Sequence, residues 1–269
     1  MDSVAEYWND RALLEWQVEL GVTDAILDEP VDRYALAPAA PKSKPQPAAP
    51  AQTAPTAPPP RPEPQAVDAV AIARTAAASA PDLDSLATAI QAFEYCDLKR
   101  GARNCVFSDG QPQARVMIIG EAPGREEDRA GRPFVGRAGQ LLDRMFDAID
   151  LSRAHTDVAR ATYITNVMPW RPPSNRTPEQ AEIAMMLPFL ERHITLIDPE
   201  IIVLMGNTPC QALLGRTGIT RMRGQWTDVL GKPCMPMVHP AYLLRNTLAK
   251  RETWADLLAL NARLRQKEA

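Results

Sequence analysis

Eleven prolines fall within the 27 positions from 38 to 64, and no aromatic residue lies among them. Each proline fixes φ and removes a backbone donor, so the tract can sustain neither a helix nor a sheet ladder. With no large apolar side chains it cannot build a core, and it reads as a semi-rigid, extended linker. The tract therefore divides the chain into an N-terminal helical segment (1–30), a disordered Pro/Ala-rich linker (31–81) and a globular domain (82–269). Within the linker, the Ala-rich stretch 66–80 is read as partly helical.

The N-terminal segment predicts a helix over residues 4–20, ended by Gly21, a favoured residue just past a helix C-terminus. Val4, Tyr7, Leu14 and Val18 share one face, and Leu13, Trp16 and Leu20 lie nearly opposite. A helix apolar on two sides needs two partners or one encircling groove. Packing on its own domain and docking to another protein both satisfy that need.

Charge follows the same division. Residues 1–91 carry 6 basic and 13 acidic side chains, whereas residues 92–269 carry 24 and 20. The overall pI of about 5.7 therefore conceals a mildly basic C-terminal part. Twenty of its basic residues are Arg, which suits bidentate contact with phosphates and base edges. A genome biased toward Arg, Ala and Pro would give the same excess. No stretch has the length and apolarity of a membrane span, and no signal peptide opens the chain. The four cysteines (Cys96, Cys105, Cys210, Cys234) form no closely spaced pair. A reduced, cytosolic protein acting as a monomer is expected.

From Asp82 the pattern becomes globular, with Leu86, Ile90 and Phe93 on one helix face. Four short apolar or β-branched runs predict buried strands: 114–119, 162–166, 201–205 and 234–238. Helical spacing occupies 139–149, 208–214 and 251–265. Thr177 is the predicted cap of a further helix running to Ile197, with Pro178 at its first position and Gln180 completing a capping box. Strands alternating with helices predict an α/β fold with a central, mainly parallel four-stranded sheet flanked by helices. In such sheets the ligand crevice lies at the carboxyl ends of the strands.

The distinctive motifs fall at those ends. They are Gly120-Glu121-Ala122-Pro123-Gly124; the glycine-flanked Phe134 and its neighbour Arg137; Asn166, followed by Arg171-Pro172-Pro173; and His239-Pro240-Ala241-Tyr242-Leu243-Leu244-Arg245. Singly, each has an ordinary reading as a turn, a structural histidine or core leucines. Together they offer a carboxylate, an aromatic ring, an amide and an imidazole. The amide can read a pyrimidine edge, and the ring can stack on its face. The carboxylate can orient water or stabilise an oxocarbenium-like sugar, and the imidazole can stabilise charge on a departing base.

Six motifs in order (GEAPG, GRPFVGRAGQLLD, YITNV, RPPSNRTP, LPFLERHI and HPAYLLR) resemble the family 4 uracil-DNA glycosylases over about residues 93–260. The resemblance implies removal of a flipped-out uracil from DNA by hydrolysis of its glycosidic bond. It assigns Glu121 to hydrolysis and His239 to the uracil carbonyl. Phe134 would stack on the base, Asn166 would read its polar edge, and backbone groups of Gly120 and Ala122 would line the pocket. Residues 241–245 match the loop that enters the DNA, so Tyr242, Leu243, Leu244 and Arg245 are expected DNA contacts, together with Arg137 and Arg171. Glu127 and Asp128 also fit the pattern, whereas His155 and His193 have no motif support and are left structural.

Most of that family holds a [4Fe–4S] cluster on four cysteines. The corresponding positions here are Phe93, Cys96, Trp170 and Met186, and a four-thiolate cluster cannot be built on one thiol. The expectation is an enzyme with no metal and no cofactor, its cluster volume filled by apolar side chains. Cys105, Cys210 and Cys234 lie elsewhere and are expected to be inert. A related branch crosslinks to DNA through a histidine in an inserted basic loop; after Asn166 this chain runs Met168-Pro169-Trp170-Arg171, without that insertion. A catalytically weak or inactive DNA-damage binding protein on the same fold is the alternative. A generic nucleotide-binding domain ranks last, because G-x-G-x-x-G and P-loop motifs are missing.

Overall fold

The computed structural model describes residues 67–266. The predicted helix at 4–20 and the proline tract lie outside the described residues. Six strands form one sheet: β1 (Asp109–Gly110), β2 (Val116–Gly120), β3 (Thr162–Asn166), β4 (Ile201–Met205), β5 (Thr227–Val229) and β6 (Lys232–Met237), in the order β1-β3-β2-β4-β6-β5. The inner four run parallel and correspond to the four predicted strands. The antiparallel edges β1 and β5 were not anticipated. At two and three residues they are too short to show a period.

Every residue of β2, β3 and β4 is buried, as parallel strands covered on both faces must be. Their side chains alternate between two apolar layers. Met117, Ile119, Tyr163, Ile202 and Leu204 pack with α1 (Ala69–Ala78), α2 (Leu83–Ala92) and α6 (Gln180–Ile197). Val116, Ile118, Ile164, Ile201, Val203 and Met205 pack with α5 (Arg137–Asp147) and α10 (Lys250–Gln266).

Two expected boundaries move. Residues 69–78, assigned to the linker, form a full helix, so the folded domain begins before residue 82. Alanine is the strongest helix former; Asp68 caps the helix by accepting from the Ala71 N–H, and Ala73 and Ala77 are buried in the core. Helix α6 begins two residues after the expected Pro178. Its cap is Glu179, not Thr177, because the buried Glu182 carboxylate accepts from the Glu179 N–H at 2.7 Å and from Arg176.

Register fixes where the loops emerge. Gly120 pairs with Asn166, Ile119 with Leu204, and Met205 with Met237. The residues following β2, β4 and β6 thus leave the sheet along one edge, beside Asn166 at the end of β3. Helices α3 (Leu98–Gly101), α4 (Arg125–Ala130), α7 (Asn207–Leu214), α8 (Ile219–Met222) and α9 (Pro240–Arg245) complete the described fold.

Candidate active site

A cavity of about 710 Å³ opens at that edge, lined by Glu121, Ala122, Phe134, Asn166, His239, Tyr242 and Arg245, among others. Its size falls within the range of small-molecule sites. It brings together the carboxylate, ring, amide and imidazole that the sequence separates by more than a hundred residues.

Glu121 follows β2 directly. Its backbone carbonyl accepts from the Met168 N–H at 3.0 Å, and its Oε2 accepts from Thr208 Oγ1 at 2.5 Å. Glu127, in the first turn of α4, accepts from the Gly124 N–H (3.1 Å) and the Gly136 N–H (2.9 Å). One carboxylate thereby joins the loop carrying Glu121 to the loop carrying Phe134. Asp128, buried, accepts from the Arg103 and Asn104 N–H groups and so anchors α4 to the segment before β1.

Phe134 has φ 53°, a left-handed conformation unusual for a bulky residue. Arg153 holds it there: its guanidinium donates to the Pro133 carbonyl (2.7 Å) and the Phe134 carbonyl (2.9 Å), and pairs with Asp109 and Asp143. The ring lies against the His239 imidazole, centroids 5.4 Å apart and planes inclined by 28°. Gly120 lies behind Phe134 and Asn166, not on the cavity wall as expected: a Cβ there would strike Asn166 Oδ1 and the Phe134 ring. The glycine is needed for this close approach.

His239 caps α9, its Nδ1 accepting from the Ala241 N–H at 3.1 Å. A neutral imidazole so engaged carries its proton on Nε2. Burial lowers its pKa to about 4, against the raising effect of Glu127 and with a smaller lowering contribution from Arg245. Near neutral pH it is an uncharged hydrogen-bond donor.

The expected DNA contacts divide. Tyr242 and Arg245 line the cavity. Leu244 is 36% exposed, but Leu243 is 1% exposed and packs inward. Residues 240–245 form a helix, not an open loop, and successive helical side chains point some 100° apart, so Leu243 is corrected to a core residue. Arg137 is exposed at the start of α5, and Arg171 donates to Asn175 Oδ1 at 2.7 Å; neither lines the cavity.

Thr208, Asn175, Thr177, Asn207, Ile219 and Thr220 line the cavity and were missed, as was Arg153 behind it. The signal for Thr208 was available: Gly206-Asn207-Thr208 follows a predicted strand, but it carries no ionisable group to draw notice. Asn207 Oδ1 accepts from the Gly218 and Ile219 N–H groups and fixes that rim.

His193 is structural as expected: it is 3% exposed, 2.8 Å from the Tyr163 hydroxyl and stacked on Phe107. Phe93, Cys96, Trp170 and Met186 are all buried in the layer containing α2 and α6. Burial raises the Cys96 thiol. It also pushes Cys105 to about 11 and Cys210 to about 12. Among the described residues, no group of three or more His, Cys, Asp or Glu is arranged to hold a metal, and no helix is long and apolar enough to cross a membrane.

The fold and site define an α/β domain whose inner parallel strands end at one cavity lined by a carboxylate, an aromatic ring, an amide and an imidazole. Residues 107–258 match the family model for the uracil DNA glycosylase superfamily, and the chain belongs to that superfamily. It is 42% identical over 154 residues to the type-4 uracil-DNA glycosylase of Thermotoga maritima, covering 56% of this chain and 77% of that one. It is 37% identical over 187 residues to the type-4 uracil-DNA glycosylase of Pyrobaculum aerophilum, covering 65% and 91%. Against that of Archaeoglobus fulgidus the identity is 37% over 183 residues, covering 65% and 89%.

Proposed function

We propose that this chain hydrolyses the N-glycosidic bond of deoxyuridine in DNA, releasing uracil and leaving an abasic site. The observation that carries the reading is the convergence of Glu121, Phe134, Asn166 and His239 on one cavity. The uracil, extruded from the helix, stacks on Phe134, and the Asn166 amide pairs with its polar edge. As the C1′–N1 bond breaks, its electron pair passes into the pyrimidine. The Nε2–H of neutral His239 donates to the oxygen on which that charge gathers. Glu121 orients a water toward C1′ and takes up its proton. Leu244 and Tyr242 follow into the space vacated by the base.

Each of these steps is carried by the chain's own side chains. The residues at the family's cluster positions do not fit an iron–sulfur cluster: one thiol and three apolar side chains share a buried apolar layer. The reading is therefore of a cluster-free enzyme in which Phe93, Trp170 and Met186 occupy that volume. It acts as a monomer on uracil-containing DNA.

Single-turnover release of uracil from an oligonucleotide tests the site. Glu121→Ala, Asn166→Ala and His239→Ala should each slow release. Full activity in all three would remove the site, and tight binding without release by the unaltered protein would make it a damage-recognition protein. Stoichiometric iron with visible charge-transfer absorbance in freshly purified protein would refute the cluster-free reading.

A further inference from the structure

Thr208 stands one residue inside α7, at the end of the one inner parallel strand whose loop carries no ionisable group. A threonine in a helix usually turns its hydroxyl to solvent or to a backbone carbonyl of the preceding turn. This one does neither. Its residue is 2% exposed, and Oγ1 donates instead to Oε2 of Glu121, 87 positions earlier in the chain, at 2.5 Å. That length is typical of a hydroxyl bound to a carboxylate.

The arrangement is prepared on both strands. Gly206 adopts φ 101°, a conformation reserved in practice for glycine, and its N–H donates to the Met237 carbonyl at 2.9 Å. The chain thus turns from β4 directly into α7, delivering Thr208 to the cavity wall. On the other strand, the Glu121 backbone carbonyl is tied to the segment just after β3 through the Met168 N–H. The carboxylate is therefore held by its backbone from one side and by its Oε2 from the other. Oε1 is the oxygen left for a water.

We infer that Thr208 is a positioning residue for hydrolysis: by engaging Oε2 it fixes the Glu121 carboxylate so that Oε1 meets the attacking water. This rests on Glu121 acting as the water-orienting group. The hydroxyl touches neither base nor sugar in this scheme, so its loss should slow the chemical step and leave DNA binding unchanged.

The test uses the full chain with Thr208→Val, Thr208→Ser, Glu121→Gln and the double variant Thr208→Val/Glu121→Gln. Single-turnover uracil release gives the rate, and fluorescence anisotropy with an oligonucleotide bearing an uncleavable deoxyuridine analogue gives the affinity. Thr208→Val, nearly isosteric, should slow release by about 10- to 100-fold, as a misplaced reacting group does. Its affinity should stay within about threefold, and Thr208→Ser should restore most of the rate. In the Glu121→Gln background the Val substitution should add nothing, because the two residues act as a unit. Wild-type rate in Thr208→Val beside a crippled Glu121→Gln would overturn the inference and leave Glu121 in place. Full activity of Glu121→Gln would overturn the reading of Glu121 itself and the inference with it. An equal slowing by Val in both backgrounds, or no rescue by Ser, would assign Thr208 to structure alone and also overturn it. Should Thr208→Val not fold, Thr208→Ala takes its place under the same criteria.

Discussion

Gly120→Ala isolates the packing on which the site depends. Gly120 lies within β2, outside the positive-φ region, so the substitution strains no backbone dihedral. Its cost is purely steric. The new methyl would lie 2.5 Å from Cε2 and 2.7 Å from Cζ of Phe134, and would overlap Asn166 Oδ1. Carbon–carbon contact is comfortable at about 3.5–4.0 Å, so ring and amide must each retreat by about 1 Å. Overpacking of this kind costs about 1–3 kcal/mol of stability. A displacement of about 1 Å in a positioning group costs about 100-fold in rate, equivalent to about 2.7 kcal/mol at the transition state. Gly101→Ala serves as the control, because a Cβ there meets nothing within 4 Å. Urea denaturation and single-turnover uracil release on both variants separate the two costs. Shortening the ring, as Gly120→Ala/Phe134→Leu, should recover stability before activity. Unchanged release by Gly120→Ala, at unchanged affinity, would show that neither the ring nor the amide reads the base.

Three further outcomes follow from the geometry. Arg153→Met removes donors from the Pro133 and Phe134 carbonyls and leaves Asp109 and Asp143 without this partner; release should slow by about tenfold, and not at all in a Phe134→Ala background, where there is no ring to hold. Burial lowers His239 to about 4 and His193 to about 3, so below pH 6.5 the unfolded chain binds protons that these imidazoles refuse. Stability, complete above that pH, should fall by up to about 1.4 kcal/mol per pH unit for each of them as pH drops toward their folded values, measurable as urea midpoints from pH 7 to 5. A pH–rate inflection near 6.5 that disappears in His239→Asn would show that His239 titrates freely. Leu243→Ala should cost about 2–5 kcal/mol of stability by opening a core cavity. Leu244→Ala should cost no more than about 0.5 kcal/mol while slowing release from duplex DNA, and the reverse assignment would mean the helix meets DNA on its other side.

The inner sheet was legible because strands such as Ile201–Met205 are apolar throughout, and burial on both faces leaves no other reading. The parallel order implied by those strands puts Glu121, Asn166 and His239 on one edge of the sheet. What stayed hidden depends on contacts between distant segments. The edge strands carry no pattern of their own and exist through pairing with β3 and β6. The alanine run at 69–78 looks like linker until α6 offers a surface to bury it. Arg153 and Thr208 act through a carbonyl and a carboxylate far along the chain, and local periodicity holds no trace of either. Leu243 and Leu244 read alike in sequence and are parted only by the turn of α9.

The parallel register has a consequence for biogenesis. Each parallel pairing in the sheet joins stretches of chain that are far apart in order of synthesis, and among the described residues β6, which delivers the imidazole, is made after the other five strands. A nascent chain that has not yet emitted that strand holds carboxylate, ring and amide but lacks the donor that would carry charge away from the base. The full set of groups at the cavity is therefore assembled only once β6 has joined the sheet, and partially translated chains near DNA should release uracil more slowly than the folded protein.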